Sequence, residues 1–243
     1  MSHKPITFFI CPIVYHIFTL CQWPCPLEAL CEVGYTTLML STLATNPLFF
    51  LIWAVGLILA ISIHEYAHAR TADRLGDPTP RSQGRLTLDP RAHLDPLGTL
   101  ALIFLGFGWG RPVMFDPYNL RSPKRDSALI ALAGPVSNLL FALVLSLFNK
   151  IFPSNYELLA ISHVLISLNV MLAIFNLVPV FPLDGEKILG GLLPTSLAKE
   201  FETIMHQYGT IILILMILPL AGGSSPISLL ISPVISFITN LLL

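Results

Sequence analysis

Charge is what this chain has least of. Lys, Arg, Asp and Glu make up 11% of its 243 residues, against about 25% in ordinary soluble domains. With 54% hydrophobic residues and a mean hydropathy of +0.76, too little polar surface exists to cover a water-soluble globule. A bilayer must act as solvent. Cysteine is missing after residue 31: Cys11, Cys21, Cys25 and Cys31 all lie in the first 31 residues. Cys21 and Cys25 lack CxxC spacing, and no histidine pair stands at zinc-finger distance, so the four read as incidental thiols of a leader, with a disulfide or metal role as the alternative. There is no Gly-rich phosphate loop, no nucleophile elbow and no basic stripe interleaved with aromatics, which argues against nucleotide hydrolysis, serine chemistry and nucleic-acid binding. Long repeats, low-complexity tracts and an appended peptide-binding module are likewise absent from the pattern.

What the chain does have is long apolar runs, and they predict an all-α, multi-pass transmembrane bundle of about five or six spans. Residues 1–45 read as an apolar leader or anchor, with 6–20 apolar but short and followed by the breaker-rich WPCP. Residues 47–72 read as a firm helix: Pro47 opens it, and LFFLIWAVGLILAISI runs uncharged for 16 residues into HEYAHAR. Residues 97–110 are too short for an upright span and suit a re-entrant or tilted segment. Residues 127–149 and 157–181 are each long enough to cross, and 208–243, broken by Pro219, Gly222, Gly223 and Pro226, read as one span plus a second or a hairpin. Nine of the 13 Lys and Arg residues lie between Arg70 and Arg125. The positive-inside rule puts those loops on the cytoplasmic side, where they meet lipid headgroups.

Against that uncharged background, His64, Glu65 and His68 stand out. Helix positions i and i+4 lie about 40° apart around the axis and roughly 6 Å along it, so two imidazoles can converge on one metal. Glu65, one residue off the stripe, is within reach of a water at that metal, which is the HExxH arrangement of zinc proteases. Ionisable side chains inside a span are costly and functional by default. A catalytic zinc takes three protein ligands, and Asp184, in FNLVPVFPLDG, is the candidate third: it ends an uncharged stretch from Leu158 to Leu183. Pro179 and Pro182 break the helix there, and Gly185 frees the turn. Two neutral histidines and two carboxylates around one zinc ion sum to near neutrality, which a low-dielectric setting tolerates.

The pair HEYAH and FNLVPVFPLDG resembles the site-2 protease family of intramembrane zinc metalloproteases, peptidase family M50. GRLTLDPRAHLDPLGTL at 84–100, GWGRPV at 108–113 and AGPVSN at 133–138 look like its compact bacterial members without a PDZ module. The resemblance covers roughly 46–190, the catalytic core, leaving 191–243 as further membrane segments. It implies one zinc per chain on His64, His68 and Asp184, Glu65 as catalytic base, and Asn176 orienting substrate or donating to the developing oxyanion. Asn176 could equally bond a neighbouring helix. Asn138 is a weaker candidate, and Gly134 reads as a close-packing position. His93 reads as a loop-shaping residue, and a small β-hairpin is expected near the site. Glu186 stands where related sequences often carry glycine and is expected to face water.

The implied activity is hydrolysis of peptide bonds within or near transmembrane helices of membrane-protein substrates, by an enzyme of the bacterial inner membrane whose site faces the cytoplasm. A membrane metal transporter and a non-catalytic regulator of the same fold are the rival readings. Transport would put ionisable residues at similar depth on several facing helices, and the other spans offer almost none.

Overall fold

The computed structural model describes residues 42–105, 108–153, 156–218 and 225–243. The four cysteines and the apolar run 6–20 lie outside them. Helix α1 (Pro47–Leu75) starts where Asn46 accepts a hydrogen bond from Phe49 N and Pro47 supplies a preset φ. It ends at Gly76, whose φ of 110° only glycine adopts without strain. Two single-turn helices, α2 (Thr79–Ser82) and α3 (Pro90–His93), lead to α4 (Pro96–Leu105). Then come α5 (Pro123–Ile151), α6 (Tyr156–Asn176), the short α7 (Asp184–Leu192), α8 (Thr195–Ile217) and α9 (Pro226–Leu242).

Among the described residues α1, α5 and α6 are long and apolar enough to cross a membrane; α9 is apolar but shorter. Their outer surfaces carry exposed Leu48, Leu51, Leu140, Val144 and Leu147, a face that water would not tolerate and lipid does. This is an integral membrane protein. The hydrophobic effect does not drive such helices together, because lipid is as apolar as leucine; close packing does. Helix α5 lies at the centre, packed against α1, α6 and α7.

One cluster joins Ala142 of α5, Ile166, Val170 and Ile174 of α6, and Ile227, Ile231 and Ile235 of α9. Val178, Val180 and Leu183, from the connection between α6 and α7, are buried in it. That connection is therefore held by its own apolar side chains, which fixes where α7 begins.

Short α4 behaves as the length of 97–110 requires. Leu94 and Gly110 form an antiparallel bridge, and Arg111 N donates to His93 O at 2.7 Å. The chain thus leaves and returns at one place. The expected β-hairpin is reduced to this bridge, with no strand among the described residues; Pro96 and Pro112 flank the pairing and cannot donate to a ladder. His93 is wholly buried, and its Nε2 donates to Thr87 O at 2.7 Å, the loop-shaping role expected of it. Asp77, also wholly buried, ties the α1 exit to the segment before α5. It accepts from Thr79 N and Oγ1, from Asp116 N and from Asn119 Nδ2.

Candidate metal centre

His64 and His68 lie one turn apart on α1, both buried. Their rings stand nearly perpendicular, centroids 4.6 Å apart. Each Nδ1 is committed elsewhere. His68 Nδ1 is 2.7 Å from Ile130 O on α5; a carbonyl only accepts, so the proton is on Nδ1. His64 Nδ1 is 2.6 Å from Asn138 Oδ1. The amide of Asn138 is oriented by Ala60 O, which takes Nδ2–H at 3.0 Å, so the oxygen faces His64 and must accept from it. Both histidines are left with a lone pair on Nε2.

Asp184 completes the convergence from α7. Its Oδ2 lies 3.0 Å from His64 Nε2 and 3.3 Å from His68 Nε2. One atom from each of the three falls within 4.8 Å of the others. Asp184 is the first residue of α7, and Gly185 brings it in: a Cβ on Gly185 would lie 2.4 Å from both Leu177 O and Val178 O. The glycine is therefore required for close backbone approach to the end of α6. The conformational freedom expected of Gly185 at the turn takes this form and no positive φ.

Three electron-pair donors aimed at one another repel unless a positive centre lies between them. Gly134 lets α5 approach both imidazoles closely. A Cβ there would lie 2.4 Å from His68 Nε2 and 2.6 Å from His64 Nε2, too close for any side chain to be accommodated without moving the rings. Two imidazole nitrogens and a carboxylate oxygen are a zinc donor set, so the residues fit the ion. The close packing of α5 on α1 expected from Gly134 is present, but its closest contacts are the ligand nitrogens themselves.

Glu65, next along α1, is held by the segment after the Leu94–Gly110 bridge: Val113 N donates to its Oε2 at 3.0 Å. Buried Arg85 approaches from the loop before α3, donating to Ala92 O. Burial and the like charge of Arg111 lower the pKa of its guanidinium, while Glu65 pulls it back up. The electrostatics of that loop and of Glu65 are thus linked.

Asn176 ends α6, and its Nδ2 donates to Leu172 O of its own helix at 2.9 Å. Among the described residues its amide makes none of the bonds that orient His64 or His68. Asn138 does, and so does Asn169, wholly buried on α6, whose Oδ1 accepts from Asn138 Nδ2 at 2.8 Å. Asn169 went unread in the sequence because a lone asparagine in an apolar run carries no spacing signal. Glu186 does not face water. It is 3% exposed, because α7 turns this face towards α8. Burial pushes its carboxyl up, with His206 and Lys187 drawing it down.

The model of peptidase family M50 matches residues 146–216, the part that contains Asp184. YwhC of Bacillus subtilis strain 168 is 38% identical over 179 residues, covering 69% of this chain and 81% of that one. Rip2 of Mycobacterium tuberculosis strain H37Rv is 28% identical over 209 residues, 81% of this chain and 80% of its own. Both are provisionally named zinc metalloproteases. Zinc metalloprotease MJ0392 of Methanocaldococcus jannaschii is 26% identical over 152 residues, 63% of this chain and 37% of its own. No solved structure matches. A His–His–Asp centre carried by α1 and α7, both packed against α5, with close likeness to YwhC along most of both chains, settles the family: the chain belongs to peptidase family M50 and is a zinc metalloprotease.

Proposed function

We propose that this metalloprotease works within the membrane, cutting peptide bonds inside or beside a transmembrane helix of a membrane-protein substrate. What supports this reading is the position of the centre along the apolar helix α1. His64 is preceded on α1 by 17 uncharged residues from Pro47, about 26 Å of helix at 1.5 Å per residue. A hydrocarbon core is ~30 Å thick, so a span that enters it at Pro47 keeps His64 within it, towards the end of α1. Arg70 and Arg74 in the last turns of α1, and Arg81, Arg85 and Arg91 beyond it, favour a cytoplasmic-facing centre in a bacterial cell membrane.

His64, His68 and Asp184 would hold the zinc, with Glu65 as base and Asn176 near the substrate. Zinc, when bound, makes a water nucleophilic near neutral pH and polarises the scissile carbonyl. Val113 N–H steadies one oxygen of Glu65, and the other takes the proton of the attacking water and returns it to the leaving amine. The Nδ1–H bonds to Asn138 and Ile130 hold both imidazoles against rotation as charge develops. Asn176 has one amide N–H on Leu172 O; the second is offered to the substrate carbonyl. A helical substrate has its carbonyls hydrogen-bonded internally, so it must unwind locally before cleavage.

The test is Glu65→Gln with a tagged single-span substrate in liposomes. Cleavage should disappear while one zinc per chain is retained. Full cleavage by the variant rules out the assignment of the base, and a cut mapping to a soluble domain far from the span rules out the intramembrane reading.

A further inference from the structure

Behind His64 a chain of amides runs across three helices, and its direction is set at both ends by groups that can only accept. Leu165 O on α6 takes Asn169 Nδ2–H at 2.8 Å. Asn169 therefore presents Oδ1 to Asn138 Nδ2, again at 2.8 Å. The other Nδ2 hydrogen of Asn138 goes to Ala60 O on α1 at 3.0 Å. Both donors of Asn138 are thus used, and only its oxygen is left for His64 Nδ1. Reversing any one amide would set oxygen against oxygen or nitrogen against nitrogen. Asn138 and Asn169 are both 0% exposed, where no solvent can repair a mismatch.

We infer that Asn169 is a positioning residue for the metal centre, locking His64 through Asn138 in the tautomer that offers Nε2 to zinc. It touches neither metal nor substrate, and acts two hydrogen bonds away. Without it Asn138 keeps one anchor, Ala60 O, and has a stranded buried N–H. The amide can then turn and present Nδ2 to His64, which suits the wrong tautomer. Outer partners of metal-binding histidines typically account for 10–100-fold in metal affinity. His68 has no such chain: it bonds directly to a backbone carbonyl that cannot flip. The lock is needed on one histidine alone.

The test measures zinc affinity of detergent-solubilised full-length protein by competition with a chelator of known affinity. Asn169→Leu keeps the volume and removes both polar ends; it should weaken zinc binding at least 10-fold. Asn169→Asp, kept protonated by its burial, keeps an oxygen towards Asn138 and an O–H for Leu165 O, and should bind zinc more tightly than Asn169→Leu. Equal affinity in folded Asn169→Leu and the parent overturns the inference, because a purely packing role would lower the melting temperature and leave zinc affinity alone. Should Asn169→Leu fail to fold, ¹⁵N histidine spectra of the zinc-loaded parent decide. A proton on His64 Nδ1 with Nε2 bound to zinc sustains the lock, and the reverse assignment refutes it.

Discussion

Gly134→Ala offers a sharp test of where the metal sits. The added methyl would stand 2.4 Å from His68 Nε2, 2.5 Å from His68 Cε1 and 2.6 Å from His64 Nε2. Carbon and nitrogen need roughly 3.5 Å, so the rings must move by about 1 Å. They are not free side-chain ends, because each is held at Nδ1, by Asn138 and by Ile130 O. Rotating either ring away strands a buried polar group at about 1–3 kcal/mol. The helix regains about 0.5–1 kcal/mol on replacing a mid-helix glycine. With both rings displaced, at about 2–6 kcal/mol together, less that gain, a net deficit of about 3 kcal/mol corresponds to roughly 100-fold weaker zinc binding. Zinc per chain by mass spectrometry, chelator competition and a melting curve form the assay. The expected result is a folded protein with little zinc and no cleavage. Stoichiometric zinc at parental affinity in Gly134→Ala would show that the ion does not bind where the two Nε2 atoms and Asp184 converge.

Three further outcomes are expected. Gly185→Ala places a Cβ 2.4 Å from two backbone oxygens, which cannot rotate aside; α7 must retreat and take Asp184 with it. A displacement near 1 Å costs about 100-fold in kcat/KM, read as cleavage rate, and an unchanged rate would show that Asp184 is not needed at its present position. Asp77→Ala removes the acceptor of four hydrogen bonds and should cost about 2–4 kcal/mol, seen as a lower melting temperature. Burial pushes the Asp77 carboxyl up, but its hydrogen bonds outweigh this and hold it below the usual range. Its folded pKa is thus depressed, so its stabilisation is complete above the unfolded value of about 3.9 and lost as pH falls through the folded one. The gap in melting temperature between parent and Asp77→Ala should therefore close on acidification, and a gap independent of pH down to unfolding would refute the ionic account.

The linear pattern was enough for the membrane class and for the residues that could bear metal, for a simple reason. In a chain with 11% charge, each ionisable group inside an apolar run is conspicuous, and helical spacing alone puts His64 and His68 on one face. Asp184, 116 residues beyond His68, could be proposed because it follows a break in a helix. What spacing could not supply was the partner of each group. Only the packing of α1, α5, α6 and α7 decided that Asp184 faces the two Nε2 atoms and that Gly134 lies close against them. It also decided that Val113 N–H holds Glu65, that Asn138 and Asn169 stand behind His64, and that Glu186 is buried. Asparagine and glycine contribute no periodicity to a hydropathy pattern. Their roles come from which atoms of other helices approach them, and that is set in three dimensions.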